Sequence, residues 1–565
     1  MSKNIFIGVA WPYVNGDLHI GHLAGYLLPA DICARYNRLI GNNVLMASGS
    51  DCFGTPITVE ADKKGVSPEQ LVNEYHPKNV ELFTKTLGLT FDIYTLTNTP
   101  NHIAVVQDFF LKLLEKEYIY VNTTEQYYSE AEKRFLPDRY VVGTCPYCQA
   151  ADSRSDQCDQ CGKLIEEGKL LDPKSNISHQ PVERRSTEHY FLDWKKMQGQ
   201  LEAYVHEHGS QWRPWVLAET IGWLQEGLTS RAITRDIDWG VPLPIEAIPE
   251  AKRIKNIESK RLYVWFDAVI GYFSASKLWA KEQGRDWGQF WHGNNLKHYY
   301  FMGKDNLVFH TLFWPGKLMN YDASLHLPDV PCVNMFLNLD GSKFSKSRGV
   351  MLKIDDIVRR FGNDPVRFFI ATIMPEHKDS SFSWASFQET INNVLVGTIG
   401  NFIHRTLSVG YRAGKLSDTP VALSAEVLAI IPATFQAAGD CLEHCEFREY
   451  TKAVVDLATF GNKMCQDEKI WELAKENPQK LAVILAQLYA VILAIGYLID
   501  PLMPESAEKI FALFGMTKPT RWPEPKDALS EIGGLVSNLS IPTEPKPLFS
   551  KILKIEELEE EAAAK

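Results

Sequence analysis

The chain has little of what marks a secreted, membrane-bound or broadly basic protein. Only ten of its 565 residues are cysteine. Four fall in one cluster and six are scattered, unlike the dense framework of a disulfide-stapled domain. Reduced thiols in a cytoplasmic setting, plus one metal site, are expected instead. The N-terminal stretch does not read as a signal peptide, because Lys3 precedes only a short strand-like run that Pro12 and Gly16 interrupt. An uninterrupted apolar run long enough to cross a bilayer is also missing. Residues 481–500 come closest, but Gln487 and Asp500 sit in or beside that run, which reads as a buried bundle helix. No membrane contact is expected. Net positive charge is absent too. The formal charge of −11 excludes a protein that holds nucleic acid by overall electrostatics, so any contact with RNA must be local. Positive charge is local in residues 343–367, where Lys343, Lys346, Arg348, Lys353, Arg359, Arg360 and Arg367 outnumber Asp355, Asp356 and Asp364. No internal repeat is visible.

Composition is that of an ordinary globular protein, 45% hydrophobic and 23% charged. The length predicts about four domains. Asn4–Ala10 reads as a buried strand entering a turn at Pro12 and Gly16. From Ile20, apolar or small residues recur at helical spacing, and Pro29 should kink that helix. Gly41 ends it and Val44–Ala47 is the next strand. Strand, glycine turn, helix and strand open a Rossmann-type, doubly wound parallel sheet of the α/β class. The rhythm breaks over residues 115–230 and resumes near Leu262–Phe266 and Tyr299–Gly303. The expected organisation is a sheet domain split between 1–114 and 231–328, with a connective insertion at 115–230. A linker region at 329–388, an all-α bundle at 389–520 and a C-terminal tail at 521–565 follow. Helical periodicity marks Ile391–Arg405, Glu426–Ala438, Phe447–Cys465 and Pro478–Ile499 within the bundle. The acidic run Glu556–Glu561 reads as a frayed end.

Cys145-Pro-Tyr-Cys148 and Cys158-Asp-Gln-Cys161 are two C-x-x-C pairs. Two such knuckles complete a tetrahedral sulfur shell, which suits one structural Zn2+ per chain. Redox dithiols or an iron–sulfur centre are the alternatives. The insertion is short and polar and needs such a staple to fold.

Two distant stretches carry the chemistry. In the first, Trp11-Pro-Tyr-Val-Asn-Gly-Asp-Leu-His-Ile-Gly-His22, His19 and His22 lie three apart at a helix start. A helix N-terminus favours anions, and imidazole N–H groups extend that donor surface. Gly21 leaves room for an adenine or ribose. In the second, Gly341-Ser-Lys-Phe-Ser-Lys-Ser-Arg-Gly349, lysines and hydroxyls sit on a loop between glycines. Such cations bind the charge that develops on a departing pyrophosphate better than they bind the ground state. The predicted ATP-binding set is His19, Gly21, His22, Lys343, Ser345, Lys346 and Ser347, with Mg2+ accompanying the ATP.

These two motifs resemble the signatures of class I aminoacyl-tRNA synthetases. Here the second has Phe344 where the family usually has Met, a position that packs rather than reacts. Further stretches are similar to the methionyl-tRNA synthetase family: Ala10–Gly16, Gly49–Pro56, Thr234–Gly240, Tyr263–Tyr272 and Gly303–Thr311. They run in the family's order over about residues 5–520. The resemblance implies that Asp51 holds the substrate ammonium and that Arg235 is a cation for substrate or phosphate oxygens. It implies a side-chain pocket of Ala10, Trp11, Tyr13, Trp265, Ala268, Tyr272 and His310. Val269 and Asn306 depart from the common family pattern near that pocket. Aromatic walls suit a polarizable thioether. In the bundle the resemblance gives Asn401, Arg405 and Trp471 the reading of an anticodon. The implied reaction attaches L-methionine to tRNA(Met) through methionyl-adenylate, and the implied state is a monomer. Two other readings stay open: a class I synthetase for another apolar amino acid, and an inactive zinc-containing RNA-binding scaffold.

Overall fold

The computed structural model describes residues 2–136, 140–155, 158, 160–161, 165, 168–339, 342–343, 352–414, 422–536 and 544–553, with Ser342 and Lys343 as backbone alone. Five parallel strands form the central sheet, in the order Val330–Asn334, Leu296–Gly303, Asn4–Val9, Asn43–Ser50, Ile93–Leu96. The apolar run of Asn4–Val9 suits its central place, with all but the first residue buried, as expected for a strand covered on both faces. After this strand the chain first builds on one side and later on the other. That reversal makes a doubly wound sheet with a crevice at the carboxyl ends of its strands.

The helix that follows runs from Ile20 to Leu39, and Pro29 does not break it. A π turn at Leu23–Leu27 shifts the hydrogen-bond register just before Leu28–Leu39. The proline's missing N–H and its ring therefore meet no intact α-helical turn.

Within the expected insertion, Ile119–Ser129 and Glu183–Leu192 pair as a long antiparallel ribbon. A small sheet of Val141–Thr144, Ser153–Arg154 and Leu171–Ser175 lies between them in sequence, beside the cysteines. Residues 194–226 return to the main core, because the helix Trp194–His208 buries Trp194, Met197, Leu201 and Tyr204. Trp194 stacks on Phe313 at 4.3 Å. The aromatic stretch at 262–266 is divided. Lys260–Leu262 pairs with Thr234–Asp236 and Val241–Pro242 in a separate antiparallel sheet, and the chain turns helical at Val264.

The bundle contains Ala425–Glu443, Phe447–Asp467 and Pro478–Ile499. Two of these helices, Ala425–Glu443 and Pro478–Ile499, are long and apolar enough to span a membrane by length and composition, but 89% of the apolar window of Pro478–Ile499 is buried inside the fold. Gln487 is satisfied there by Ser424 N at 2.7 Å and Ala422 O at 3.1 Å. The described part of the stretch expected as a tail makes packing contacts. It holds the helix Pro525–Val536, with Ala528 and Ile532 buried, and it seats Phe549 against Gly400. The acidic run at 556–561 lies outside the described residues.

Two buried arginines join the sheet domain to the bundle. Arg213 donates to Val333 O and Asn334 Oδ1, both at 2.7 Å, and to Cys445 O at 2.5 Å. Arg367 donates to Asp31 Oδ2 at 2.8 Å and to Leu502 O at 2.6 Å. Burial alone would raise the Asp31 carboxyl, but the Arg35 and Arg367 guanidiniums outweigh it and hold the pKa at about 2. Arg367, counted in sequence among the local cations, is thus a core residue and not a surface charge.

Candidate active site

A cavity of about 700 Å³ opens at the carboxyl edge of the central sheet. Four strand ends supply its lining. Ala10 and Trp11 follow the central strand, Asp51 follows Asn43–Ser50, Asp305 and Asn306 follow Leu296–Gly303, and Met335 and Phe336 follow Val330–Asn334. This is where a doubly wound sheet offers a ligand the most backbone and the least steric bulk.

The paired imidazoles stand on one side. Gly21 N donates to His19 Nδ1 and His19 N donates to His22 Nδ1, each at 3.1 Å. The two rings therefore cap their own helix start, with centroids 3.9 Å apart. Because each Nδ1 accepts, each neutral ring carries its proton on Nε2. His19, Gly21 and His22 all line the cavity.

The flanks of the lysine-bearing loop reach the same place. Ile20 N bonds Leu352 O at 3.1 Å, Ile354 N bonds Leu18 O at 3.3 Å, and Lys353 pairs with Asp17 at 2.6 Å. At the other end Leu337 lines the cavity, and Leu337–Leu339 pairs with Ser342–Lys343. The backbone of Lys343 thus springs from the cavity rim, whereas Ser345, Lys346 and Ser347 lie outside the described residues.

The end of the cavity away from the imidazoles is largely aromatic. Ala10, Trp11, Tyr13, Asp51, Trp265, Ala268, Tyr272 and His310 all line the cavity. His310 Nδ1 bonds Asn306 O and its Nε2 bonds the Tyr272 hydroxyl, both at 2.8 Å. The carbonyl requires Nδ1 to donate, so Nε2 accepts from Tyr272. Burial lowers the His310 pKa to about 4, so this wall stays uncharged. Trp265 is 44% exposed and stands at the mouth. The Trp11 indole is clamped between Gly49 and Gly271, where a Cβ would come within 2.1 and 2.7 Å of the ring. Asp51 is the buried acid of the cavity. Burial first, and then the charge on Asp267, raise its pKa well above the usual carboxylate range. An incoming ammonium would reverse that balance.

Arg235 does not line this cavity. Its guanidinium bonds Ala232 O at 3.0 Å and Thr234 O at 2.8 Å and lies 4.6 Å from the centre of the Tyr263 ring. Sequence reasoning missed Tyr26, Phe309, Met335 and Phe336, which also line the cavity. The strand-end rule was the available signal for Met335 and Phe336.

In the bundle, Arg405 lies over the Trp471 ring at 5.8 Å and bonds Asn462 Oδ1 at 3.1 Å. Trp471 is 44% exposed, and Asn401 is exposed one helical turn before Arg405. The structure therefore brings these three residues to one face.

The four clustered thiols also converge, with all sulfurs within 4.8 Å of one another. Cys145 and Cys161 are 3.9 Å apart, and Cys148 and Cys158 are 3.6 Å apart. A tetrahedral zinc shell with Zn–S of about 2.3 Å requires sulfurs about 3.8 Å apart. The group fits one metal ion.

A reversed parallel sheet, with paired imidazoles at its switch point and a basic loop anchored beside them, defines the catalytic fold of class I tRNA synthetases. The chain belongs to the methionine branch of that class: the family described as tRNA synthetases class I (M) matches residues 5–407. The anticodon binding domain of methionyl tRNA ligase matches residues 413–564. The methionine–tRNA ligase of Roseiflexus sp. (strain RS-1) is 42% identical, covering 91% of this chain and 87% of that one. The methionine–tRNA ligase of Dehalococcoides mccartyi (strain CBDB1) is 41% identical, covering 100% of this chain and 99% of that one. The fold is shared with Mycobacterium tuberculosis methionyl-tRNA synthetase in complex with methionyl-adenylate, at a TM-score of 0.74 and 22% identity, over 97% of this chain and 100% of that one.

Proposed function

We propose that the chain attaches L-methionine to tRNA(Met) in two steps. A methionine carboxylate oxygen attacks the α-phosphorus of Mg2+-bound ATP, forming methionyl-adenylate and releasing pyrophosphate. A terminal ribose hydroxyl of the tRNA then takes the acyl group and AMP leaves. No protein nucleophile is required, so catalysis rests on positioning and charge stabilisation. The observation that carries this reading is the single cavity joining His19 and His22 to buried Asp51 and the Tyr272–His310 wall.

In this scheme Asp51 holds the α-ammonium. Ala10, Trp11, Tyr13, Trp265, Ala268, Tyr272 and His310 enclose the thioether. The Nε2–H groups of His19 and His22 face the phosphates, Gly21 leaves space for the nucleoside, and Lys343, Ser345, Lys346 and Ser347 close on the pyrophosphate. Arg235 lies over Tyr263, whose ring is 5.5 Å from that of Trp265 in the wall. Cys145, Cys148, Cys158 and Cys161 hold a structural Zn2+. Asn401, Arg405 and Trp471 read the anticodon by stacking and base-edge hydrogen bonds. The protein works as a cytoplasmic monomer.

ATP–pyrophosphate exchange with each amino acid in turn tests the proposal. Exchange with methionine alone is the expected result. Exchange with leucine, valine or cysteine instead would select a different synthetase, and none at all would leave the RNA-binding scaffold.

A further inference from the structure

Two chain segments build much of the aromatic end of the cavity. One supplies Trp265, Ala268 and Tyr272, and the other supplies Phe309 and His310. A buried lysine that the scheme above does not use joins them. Lys317 lies in the helix Trp314–Tyr321, which continues from the π turn Phe309–Phe313. It is 1% exposed and does not line the cavity. Among the described residues its Nζ makes no ion pair. Its hydrogen bonds go to two carbonyls of the other segment, Trp265 O at 3.1 Å and Phe266 O at 2.8 Å.

Those carbonyls belong to the one-turn helix Val264–Asp267, which gives way to a 3-10 turn at Ala268–Ile270. The last carbonyls of a helix lack intrahelical donors, and a lysine can supply them. An apolar side chain of similar length would pack in this place without burying an amine, but it would leave both carbonyls without that donor. Burial lowers the Lys317 pKa to about 7. A neutral amine still carries two N–H groups, so both bonds persist whether or not the proton is lost. Trp265 itself stands at the mouth, with its ring 5.7 Å from that of Phe309. One side chain therefore ties the backbone of one wall to the helix that carries the other.

We infer that Lys317 is a positioning residue for the amino-acid substrate: by holding the Trp265 and Phe266 carbonyls it sets the spacing of the two walls that enclose the thioether. This rests on the reading of the aromatic end as the amino-acid pocket. Lys317 touches neither methionine nor ATP in this role and acts through the Trp265 wall. His19 and His22 stand on a different segment, so the phosphate side does not depend on it.

Pyrophosphate exchange on the full chain tests this. Lys317→Met keeps the apolar stem and removes the donors. Methionine KM should rise about tenfold, while kcat and the KM for ATP stay within about twofold. In a Trp265→Ala background the same substitution should raise methionine KM less than about threefold, because the wall it holds is already lost. Lys317→Gln, one atom shorter, leaves its amide short of the carbonyls and covers the case of a Met variant that does not fold. It should raise methionine KM about threefold or more. A folded variant with methionine KM at the wild-type value overturns the inference. So does a full tenfold rise in the Trp265→Ala background, which would place the effect elsewhere. Loss of folding in both single variants, read by thermal unfolding, would make Lys317 structural and do the same. Exchange by the wild type with a different amino acid would fail the proposed function alone, since the same comparison on that amino acid still decides this inference. No exchange at all would remove both.

Discussion

The cavity and the cysteine cluster are both assembled from separate segments, yet they are held in opposite ways. The cavity rests on one continuous hydrophobic core that runs from the Asn4–Val9 strand into the helical bundle. Its aromatic wall is locked by packing and by the Tyr272–His310–Asn306 hydrogen bonds. The cysteine-bearing segment has a separate core of eight described residues, and two of them, Cys145 and Cys158, are themselves members of the thiol set. So small an apolar cluster supplies little stability. One region is preformed by folding, whereas the other carries four thiols placed so that a metal ion could complete it.

The largest expected effect separates binding from chemistry at the preformed site. Lys346→Ala should slow methionine-dependent pyrophosphate exchange by about 10²–10³-fold, the scale of losing one transition-state donor. Methionine KM should stay within about twofold, because the amino-acid wall does not depend on the loop. A large rise in methionine KM would show that the cavity is not preformed. Next, Cys158→Ser should abolish stoichiometric zinc, read by elemental analysis, and expose residues 119–192 to proteolysis. The sheet domain should keep its cooperative unfolding. Collapse of both regions together would erase the contrast.

Acid should weaken the core-held region in a calculable way. The His310 pKa of about 4 lies below the ordinary value of 6.5, so the unfolded chain binds this proton more readily. The penalty is absent above about pH 6.5, grows as pH falls and saturates below about 4, reaching about 3 kcal/mol. Denaturant unfolding at neutral and acid pH should show this loss, and His310→Gln should reduce it. The smallest effect belongs to the bundle face. Trp471→Ala should lower aminoacylation about tenfold, as for one lost base–aromatic stack, and leave pyrophosphate exchange unchanged. Equal loss in both assays would make Trp471 structural.

Much of this was legible in the chain because the signals were local. The apolar run of Asn4–Val9, the His19–His22 spacing and the two C-x-x-C pairs each act over a few residues. Pro478–Ile499 was read with the bounds it has, because its apolar content leaves no other place for it than a core. What escaped depended on backbone geometry or on distant partners. Pro29 is accommodated by a π turn that no residue type announces. Val264–Phe266 has strand-like composition, yet it turns helical where its aromatic residues meet the cavity and the core. Arg235 faces the carbonyls of its own segment, which spacing alone cannot show.

The Arg213 joint sets a mechanical limit on communication between the two ends of the molecule. Its guanidinium grips the end of the Val330–Asn334 strand, just before Met335 at the cavity, and the Cys445 carbonyl at the root of the Phe447–Asp467 helix. A swing of the bundle at this point would strip a buried cation of its acceptors, a loss of several kcal/mol. Strain from RNA docked on the far face would therefore pass through this joint as through a welded corner, arriving at Met335 as a small displacement rather than being absorbed by a hinge.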